Sequence, residues 1–280
     1  MAPTTLVSTA ELSAHLDDAA WVVFDCRHDL ANPDSGAQEY ARSHIPGARF
    51  LHLDRDLAAP PTGKNGRHPL PDAQTFMQTL GTAGVDSSKQ VIAYDAKMGV
   101  YAARLWWMLR WLGHENVAVL DGGYAKWTHE GLPVTAAVPQ PAPAHFVGQP
   151  RAISVGVDEV MRSTGQPGRI LVDARSPDRY RGENETLDPA GGRIPGSLNR
   201  FFRDNLDASA CFKPAADLRQ AFAALLGNMP PDAVVHCCGS GVSACHNLLA
   251  MEIAGLSGSR LYPGSWSEWC SDPNRPTEKG

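Results

Sequence analysis

Two adjacent cysteines, Cys237 and Cys238, are followed directly by the sequence Gly239-Ser240-Gly241. The two glycines allow the backbone to curl so that several N–H groups point inward, which is the geometry of an anion-binding nest. A thiol at the start of such a loop is expected to be partly ionised at neutral pH, and thiolate is the nucleophilic form of cysteine. The loop therefore predicts covalent chemistry at a cysteine, with an anion held by backbone donors.

Cys238 is the predicted nucleophile, and Cys237 is predicted to be structural because neighbouring side chains of a strand point in opposite directions. A strand precedes the pair at 234–236, and Val242 and Ser243 lead into the next helix, whose N-terminal dipole favours a negative charge. The alternative is that both cysteines are small core residues at the end of a buried strand. The glycine-rich corner favours the nucleophile.

The composition sets limits on the possible partners. The chain has 280 residues, of which 43% are hydrophobic and 20% charged, and its formal net charge is −5. This is typical of a globular protein of about two domains, and it gives no electrostatic reason to expect nucleic acid or an anionic membrane as a partner. No cysteine or histidine spacing indicates a metal site, and no cofactor is predicted. No secretory leader or bilayer-spanning run is visible, so the cytoplasm is the expected location.

The chain also resembles itself. Gly99 and Trp127 are matched by Gly241 and Trp269, and both pairs lie 142 positions apart. Such extended matching indicates two copies of one domain. At the position of the cysteine pair, the N-terminal copy has Tyr94-Asp95, so that domain is predicted to be catalytically silent.

A proline-rich stretch separates the halves, as in an extended, semi-rigid linker. We therefore predict an N-terminal domain over 1–132, a linker over 133–152 and a C-terminal domain over 153–280. In each half, short β-branched runs alternate with helical patterns, which favours an α/β fold with a parallel sheet between helices. The predicted strands are 22–24, 91–93, 117–120, 170–172 and 234–236, and the predicted helices are 73–80, 100–112, 215–226 and 244–254.

Several motifs together identify a family resemblance. They are Cys238-Gly239-Ser240-Gly241-Val242-Ser243, Asp25-Cys26-Arg27, His44-Ile45-Pro46-Gly47, Asp121-Gly122-Gly123 with Trp127, and Tyr262-Pro263-Gly264-Ser265-Trp266. The chain resembles, over nearly its whole length, the tandem-domain rhodanese family, which includes 3-mercaptopyruvate and thiosulfate sulfurtransferases. The resemblance implies two rhodanese-like domains related by duplication. It also implies that Cys238 becomes a persulfide and passes its sulfur to cyanide, a thiol or a thioredoxin-like reductant.

The uncharged loop resembles the family branch that uses 3-mercaptopyruvate, because loops that bind thiosulfate carry basic residues. The resemblance implies that Ser240, His68 and Asp54 form a relay that protonates the enolate left by the donor. It further implies that Arg179 binds the donor's carboxylate. The alternatives are a solvated loop histidine at 68 and an ordinary surface arginine at 179. The loop positions implied to contact the substrate are Gly239, Gly241, Val242 and Ser243.

Two positions depart from the family pattern. Asp188 stands where mercaptopyruvate enzymes often carry a second substrate arginine, and Arg193 replaces the histidine usual before Ile-Pro-Gly. A thiosulfate-preferring enzyme is therefore an alternative. A cysteine phosphatase is disfavoured because Ala244, six positions after Cys238, replaces the arginine that would clamp phosphate. A persulfide carrier without fast turnover is the other alternative, although a carrier needs no proton relay.

Overall fold

The computed structural model describes residues 2–166 and 168–280, and the chain divides into two compact units. Unit 1 comprises Met1–Ala59, Leu70–Arg151 and Ser209–Cys211, and unit 2 comprises Pro60–Pro69, Ala152–Ala208 and Phe212–Gly280. A short segment from the first half of the chain thus belongs to the second unit. The domain limits at 132 and 153 stay a prediction. Within the described ranges, no helix is long and apolar enough to cross a bilayer.

Unit 1 is built on a parallel sheet. Its strands are β1 Leu6–Val7, β2 Trp21–Asp25, β3 Arg49–Phe50, β4 Gln90–Tyr94 and β5 Val117–Leu120. Its helices are α1 Thr9–Ala14, α2 Ser35–Arg42, α3 Leu53–Asp56, α4 Ala73–Thr82, α5 Val100–Trp111 and α6 Gly123–His129. The strand order is β1-β5-β4-β2-β3. Strands β4 and β5 are buried along their whole length, as expected for parallel strands covered on both faces.

Unit 2 repeats this plan. Its strands are β6 Ile170–Asp173, β7 Leu198–Asn199, β8 Val234–Cys237 and β9 Arg260–Leu261. Its helices are α7 Val157–Ser163, α8 Pro177–Arg181, α9 Ala215–Leu226, α10 Ser243–Ile253 and α11 Ser265–Trp269, with 3-10 turns at Phe202–Asn205 and Pro231–Ala233. All neighbouring strands are parallel, in the order β7-β6-β8-β9. The core lies between this sheet and its helices and includes Val160, Val235 and Trp269.

The strand register aligns the two repeats residue by residue. The N–H of Cys26 donates to the carbonyl of Tyr94, and the N–H of Ala174 donates to the carbonyl of Cys237. Tyr94 therefore corresponds to Cys237, and Asp95 corresponds to Cys238, as the sequence match predicts. The carboxyl ends of β4 and β8 carry these residues, and in parallel α/β sheets that edge is where ligands bind.

The predicted strands and helices are all confirmed, with ends that differ by no more than two residues. Helix α4 continues to Thr82, and α10 begins at Ser243, one residue earlier than its apolar pattern indicated. Gly255 follows α10 with φ +68° and donates its N–H to the carbonyl of Glu252. Gly255 directly follows the C-cap of α10, Ala254, and a left-handed glycine at that position is a common way to end a helix.

Candidate functional site

Cys238 follows β8 directly and is buried, with 2% of its surface exposed. Its N–H donates to Ser265 Oγ at 3.0 Å, and Ser265 Oγ donates to the carbonyl of Tyr262 at 2.9 Å. The carbonyl of Cys238 accepts the N–H of Trp266 at 3.0 Å. The start of α11 therefore fixes the backbone of the predicted nucleophile on both sides.

The preceding cysteine is in a different environment. Cys237 is buried in the core of unit 2 with Val235, Tyr262 and Trp266. Burial raises the pKa of its thiol well above the ordinary value, and the carboxylate of Asp173 raises it further. A thiol that resists ionisation is a poor nucleophile, which agrees with the structural role predicted for Cys237.

Close contacts restrict both glycines of the loop, with Gly241 facing backbone and Gly239 facing the flexible end of a side chain. Gly241 has φ +75°, and a Cβ at this position would lie 2.3 Å from the carbonyl oxygen of Pro263. A Cβ placed on Gly239 would lie 2.8 Å from Arg67 Nη2. Neither site can accept a side chain without displacement of its neighbours. After Gly241, Val242 is the N-cap of α10, whose first residue is Ser243.

The equivalent loop of unit 1 illustrates what such a loop binds. Asp95 Oδ1 accepts the N–H groups of Lys97 at 2.7 Å and Gly99 at 2.9 Å. Asp95 Oδ2 accepts those of Tyr101 at 2.8 Å and Ala102 at 2.9 Å. Burial raises the pKa of this carboxyl, and the four hydrogen bonds oppose that shift. In unit 1, an acceptor carboxylate thus fills the loop at the position that corresponds to Cys238.

His68 and Ser240 form the central polar pair of the site. His68 Nδ1 lies 2.7 Å from Ser240 Oγ, within hydrogen-bonding distance. Both residues belong to unit 2, and their exposed fractions are 6% and 5%. The N–H of Arg67 donates to Ser267 Oγ at 3.0 Å, which fixes the chain just before the histidine. His68 is therefore a buried partner of the loop serine, and the alternative of a solvated histidine is not observed.

Arg179 lies on α8 and reaches the loop. A Cβ placed on Gly239 would lie 3.6 Å from Arg179 Nη2. The guanidinium donates to both carboxylate oxygens of Glu185, with Nη2 at 2.8 Å from each. Although burial opposes it, the N–H of Leu187 and the guanidinium of Arg179 hold the pKa of Glu185 below its ordinary value. The alternative of an unengaged surface arginine is thus not observed.

Arg67 is a functional candidate that the sequence analysis missed. Its Nη2 is the nearest side-chain atom to the Cβ position of Gly239, and its Nη1 donates to Asp188 Oδ1. The Asp188 side chain is only 2% exposed. Burial raises the pKa of this carboxyl, and Arg67 opposes the shift. The sequence indicated Arg67 only through its position next to His68. The contact of Pro60–Pro69 with the loop at Gly239 could not be inferred from local pattern.

Arg193, the other departure from the family pattern, is engaged elsewhere. It pairs with the carboxylate of Glu278 and donates to the carbonyl of Gly280. Its guanidinium also lies 4.8 Å from the ring centre of Tyr180. Arg193 therefore binds the C-terminal tail.

Asp54 belongs to unit 1, where it is in α3, and its part in a relay stays a prediction. Its Oδ2 lies 4.0 Å from both His28 Nε2 and His52 Nδ1. These three residues offer ligand atoms within 4.8 Å of one another. However, His52 Nδ1 already accepts the N–H of Asp54 at 3.1 Å. A metal ion would have to break this helix cap, so the cluster is a poor metal site.

Comparison with known proteins adds to this geometry. The family described as "Rhodanese-like domain" matches residues 8–130 and 157–272. A Pseudomonas aeruginosa protein named "Probable 3-mercaptopyruvate sulfurtransferase" is 45% identical over 283 residues, with all of both chains covered. The thiosulfate sulfurtransferase of Gallus gallus is 34% identical over 237 residues, covering 83% of this chain and 80% of that protein.

A solved structure is similar over nearly the same extent. It is that of SseA from Escherichia coli, described among the 3-mercaptopyruvate sulfotransferases. Its TM-score is 0.82 at 30% identity, and the match covers 94% of this chain and 99% of that chain. The two-unit α/β architecture is thus shared with this structure.

Proposed function

This chain belongs to the rhodanese family and is a sulfurtransferase, and we propose that its donor is 3-mercaptopyruvate and its nucleophile is Cys238. The sulfur would move in two displacements, with a persulfide on Cys238 between them. A covalent relay of this kind divides one difficult transfer into two easier steps. No cofactor is needed for either displacement.

In the first step, the Cys238 thiolate attacks the thiol sulfur of 3-mercaptopyruvate. The S–S bond forms as the C–S bond breaks, and the electron pair of that bond remains on the methylene carbon as the enolate of pyruvate. The proton of the donor thiol is transferred to this carbon, which leaves pyruvate and an ionised persulfide. In the second step, cyanide or a thiolate attacks the outer sulfur, and Cys238 leaves as the thiolate.

The observation that carries the donor assignment is the 2.7 Å pair of Ser240 Oγ and His68 Nδ1 within the loop of the nucleophile. An enolate leaving group must be protonated, and a hydroxyl–imidazole pair can move a proton to it. Sulfite, the leaving group from thiosulfate, needs no such proton. A buried proton relay next to Cys238 is therefore useful for 3-mercaptopyruvate and superfluous for thiosulfate.

The anions of both steps have candidate hydrogen-bond donors in the site. The N–H groups that correspond to those around Asp95 belong to Gly241, Ser243 and Ala244. We assign them to the persulfide anion, which would take the place of the carboxylate. The guanidinium groups beside Gly239, those of Arg67 and Arg179, are assigned to the donor's carboxylate.

A thiosulfate-preferring enzyme is the second candidate, and one observation favours it. Two guanidinium groups lie beside the loop, and such groups also bind oxyanions of sulfur. A persulfide carrier without rapid turnover is a third candidate. It would become persulfidated at Cys238 but would not release product repeatedly with any small donor and acceptor.

The test is kcat/KM for 3-mercaptopyruvate and for thiosulfate, measured side by side with cyanide as acceptor. The proposal predicts a clear preference for 3-mercaptopyruvate. A preference for thiosulfate would refute the donor assignment, and a single turnover with both donors would indicate the carrier. A cellular thiol, a thioredoxin-like reductant as acceptor and a cytoplasmic location are further proposals. They can be tested by replacing cyanide in the assay and by cell fractionation.

A further inference from the structure

A buried carboxylate lies between the two guanidinium groups of the donor site. The side chain of Asp188 is 2% exposed, whereas those of Arg67 and Arg179 are 26% and 22% exposed. Asp188 Oδ1 accepts a hydrogen bond from Arg67, and its Oδ2 lies 3.6 Å from Arg179 Nη2. The carboxylate therefore interacts with both arginines from the protein side, while the arginines themselves retain access to solvent.

A second carboxylate completes a balanced set of charges. Glu185 is 3% exposed and accepts hydrogen bonds from Arg179. Glu185 Oε1 also accepts the N–H groups of Leu187 at 2.9 Å and Asp188 at 3.1 Å. Because these bonds fold the segment into a compact turn, the two carboxylates are held in place. The two arginines and two carboxylates have a formal net charge of zero. Arg175 also lies 3.6 Å from Glu185 Oε2, and its charge is balanced by its own partner, Asp173.

This balance affects which anion the site prefers. The attraction of a guanidinium pair for an anion grows with the charge of that anion, and adjacent carboxylates cancel much of it. Asp188 also holds the Nη1 side of Arg67, while Nη2 is the atom nearest to Gly239. The arginine is thus fixed with one edge available to a flat, singly charged carboxylate.

We propose that Asp188 is a specificity-determining residue of the donor site: it positions Arg67 and, with Glu185, neutralises the arginine pair so that a singly charged α-keto carboxylate is preferred to doubly charged thiosulfate. The proposal rests on the proposed function only in placing the donor beside Gly239. It assigns Asp188 an electrostatic role at the position where a second substrate arginine often occurs.

The test is Asp188→Asn, which removes the charge and keeps an oxygen that can accept from Arg67. The ratio of kcat/KM for thiosulfate to that for 3-mercaptopyruvate should rise about 3- to 10-fold, mainly through KM, and the rise should shrink as salt is added. Glu183→Gln is the matched control, since Glu183 is an exposed carboxylate that pairs with Arg181. A ratio that is unchanged in Asp188→Asn, or equally changed in Glu183→Gln, overturns the proposal.

A measurement on the unaltered protein covers the case in which Asp188→Asn does not fold. Pyruvate and sulfate are used as competitive inhibitors of whichever donor is turned over. Pyruvate should bind more tightly than sulfate, and tighter binding of sulfate overturns the proposal. These outcomes are separate from the proposed function, because a native preference for thiosulfate in turnover refutes the donor assignment, whereas the relative binding of pyruvate and sulfate tests the electrostatic role of Asp188. The shift caused by Asp188→Asn can still be measured in that case.

Discussion

The N–H of Cys238 donates to the side chain of Ser265, a serine with φ +54° in the left-handed region that favours glycine. The equivalent residue of unit 1 is Gly123, with φ +56°. Unit 2 therefore has a serine where the fold prefers glycine, at a cost of about 1 kcal/mol. In return, the hydroxyl accepts a hydrogen bond from the backbone N–H of Cys238.

Ser265→Ala and Ser265→Gly separate these two effects. Both lose the bond to a buried N–H, but only the alanine variant keeps the unfavourable φ. In urea denaturation the glycine variant should be about 1 kcal/mol more stable than the alanine variant. Both should lower kcat and slow the alkylation of Cys238 by iodoacetamide. Equal stability of the two variants would show that the positive φ carries no cost, and native kcat in both would show that Ser265 does not position Cys238.

Ser240→Ala tests the proton relay. Loss of the hydroxyl next to His68 should lower kcat for 3-mercaptopyruvate about 100-fold, the usual scale for general acid–base catalysis. Turnover with thiosulfate should fall far less, because sulfite leaves without a proton. His68→Gln should behave in the same way, and the double variant should be no worse than either single variant. Equal losses with both donors would remove the relay from the mechanism, and additive losses would show that the residues act separately.

Asp54→Asn tests the remaining member predicted for the relay. If Asp54 orients the imidazole of His68, this variant should lower kcat for 3-mercaptopyruvate by roughly 10-fold or more and should have little effect on thiosulfate. The comparison with Ser240→Ala then indicates whether the two residues act in the same step. Unchanged kcat with 3-mercaptopyruvate would limit the relay to Ser240 and His68.

Arg67→Ala and Arg179→Ala should each raise KM for 3-mercaptopyruvate about 10- to 100-fold, with a smaller change in kcat. A charge-assisted bond to a carboxylate contributes to binding of the donor before the chemical step. Arg193→Ala is the control, because Arg193 binds the C-terminal tail. An equal rise of KM in the control would point to a general loss of positive charge and away from a site at Gly239.

As the pH decreases below about 6.5, the free energy of unfolding should decrease because of His236 in β8. This side chain is fully buried, and burial lowers its pKa from the ordinary 6.5 to about 3. Between these values the unfolded chain binds a proton that the folded chain does not. The free energy of unfolding should therefore fall by up to about 1.4 kcal/mol per pH unit from this residue alone.

His236→Leu should make the unfolding free energy less dependent on pH between about pH 7 and about pH 5 in urea denaturation. The control is His129→Leu, since His129 is exposed at the end of α6. The control should keep the pH dependence of the unaltered protein. A His236→Leu variant with that same dependence would show that His236 does not set the acid limit.

Much of the fold follows from local patterns in the sequence. The β-branched runs and the helical patterns predict the strands and helices. The match of Gly99 with Gly241, 142 positions later, predicts the duplication. The position of Cys238 at the carboxyl end of β8 then follows from the general plan of parallel sheets. These features are predictable because they depend on residues close together in the chain or on repetition.

Other features of the site depend on contacts between distant segments. Arg67 lies far from Gly239 in sequence, and only the docking of Pro60–Pro69 in unit 2 brings its guanidinium to the loop. In the sequence, Asp188 was notable only because it replaces an expected arginine. Its role in holding Arg67 follows from the hydrogen bond that it accepts from that residue. The backbone strain at Ser265 is indicated in the sequence, because the repeat aligns this residue with Gly123. The hydrogen bond from the N–H of Cys238 to Ser265 depends on a contact between distant segments and is not indicated there.

The central claim, that Cys238 carries the sulfur, is tested most directly by intact-protein mass spectrometry after brief mixing with 3-mercaptopyruvate and no acceptor. The mass should increase by one sulfur atom, peptide mapping should locate it on Cys238, and cyanide should remove it with release of thiocyanate. Cys238→Ser should show no such increase. A persulfide on Cys237 or another cysteine, or unchanged turnover in Cys238→Ser, would contradict the account.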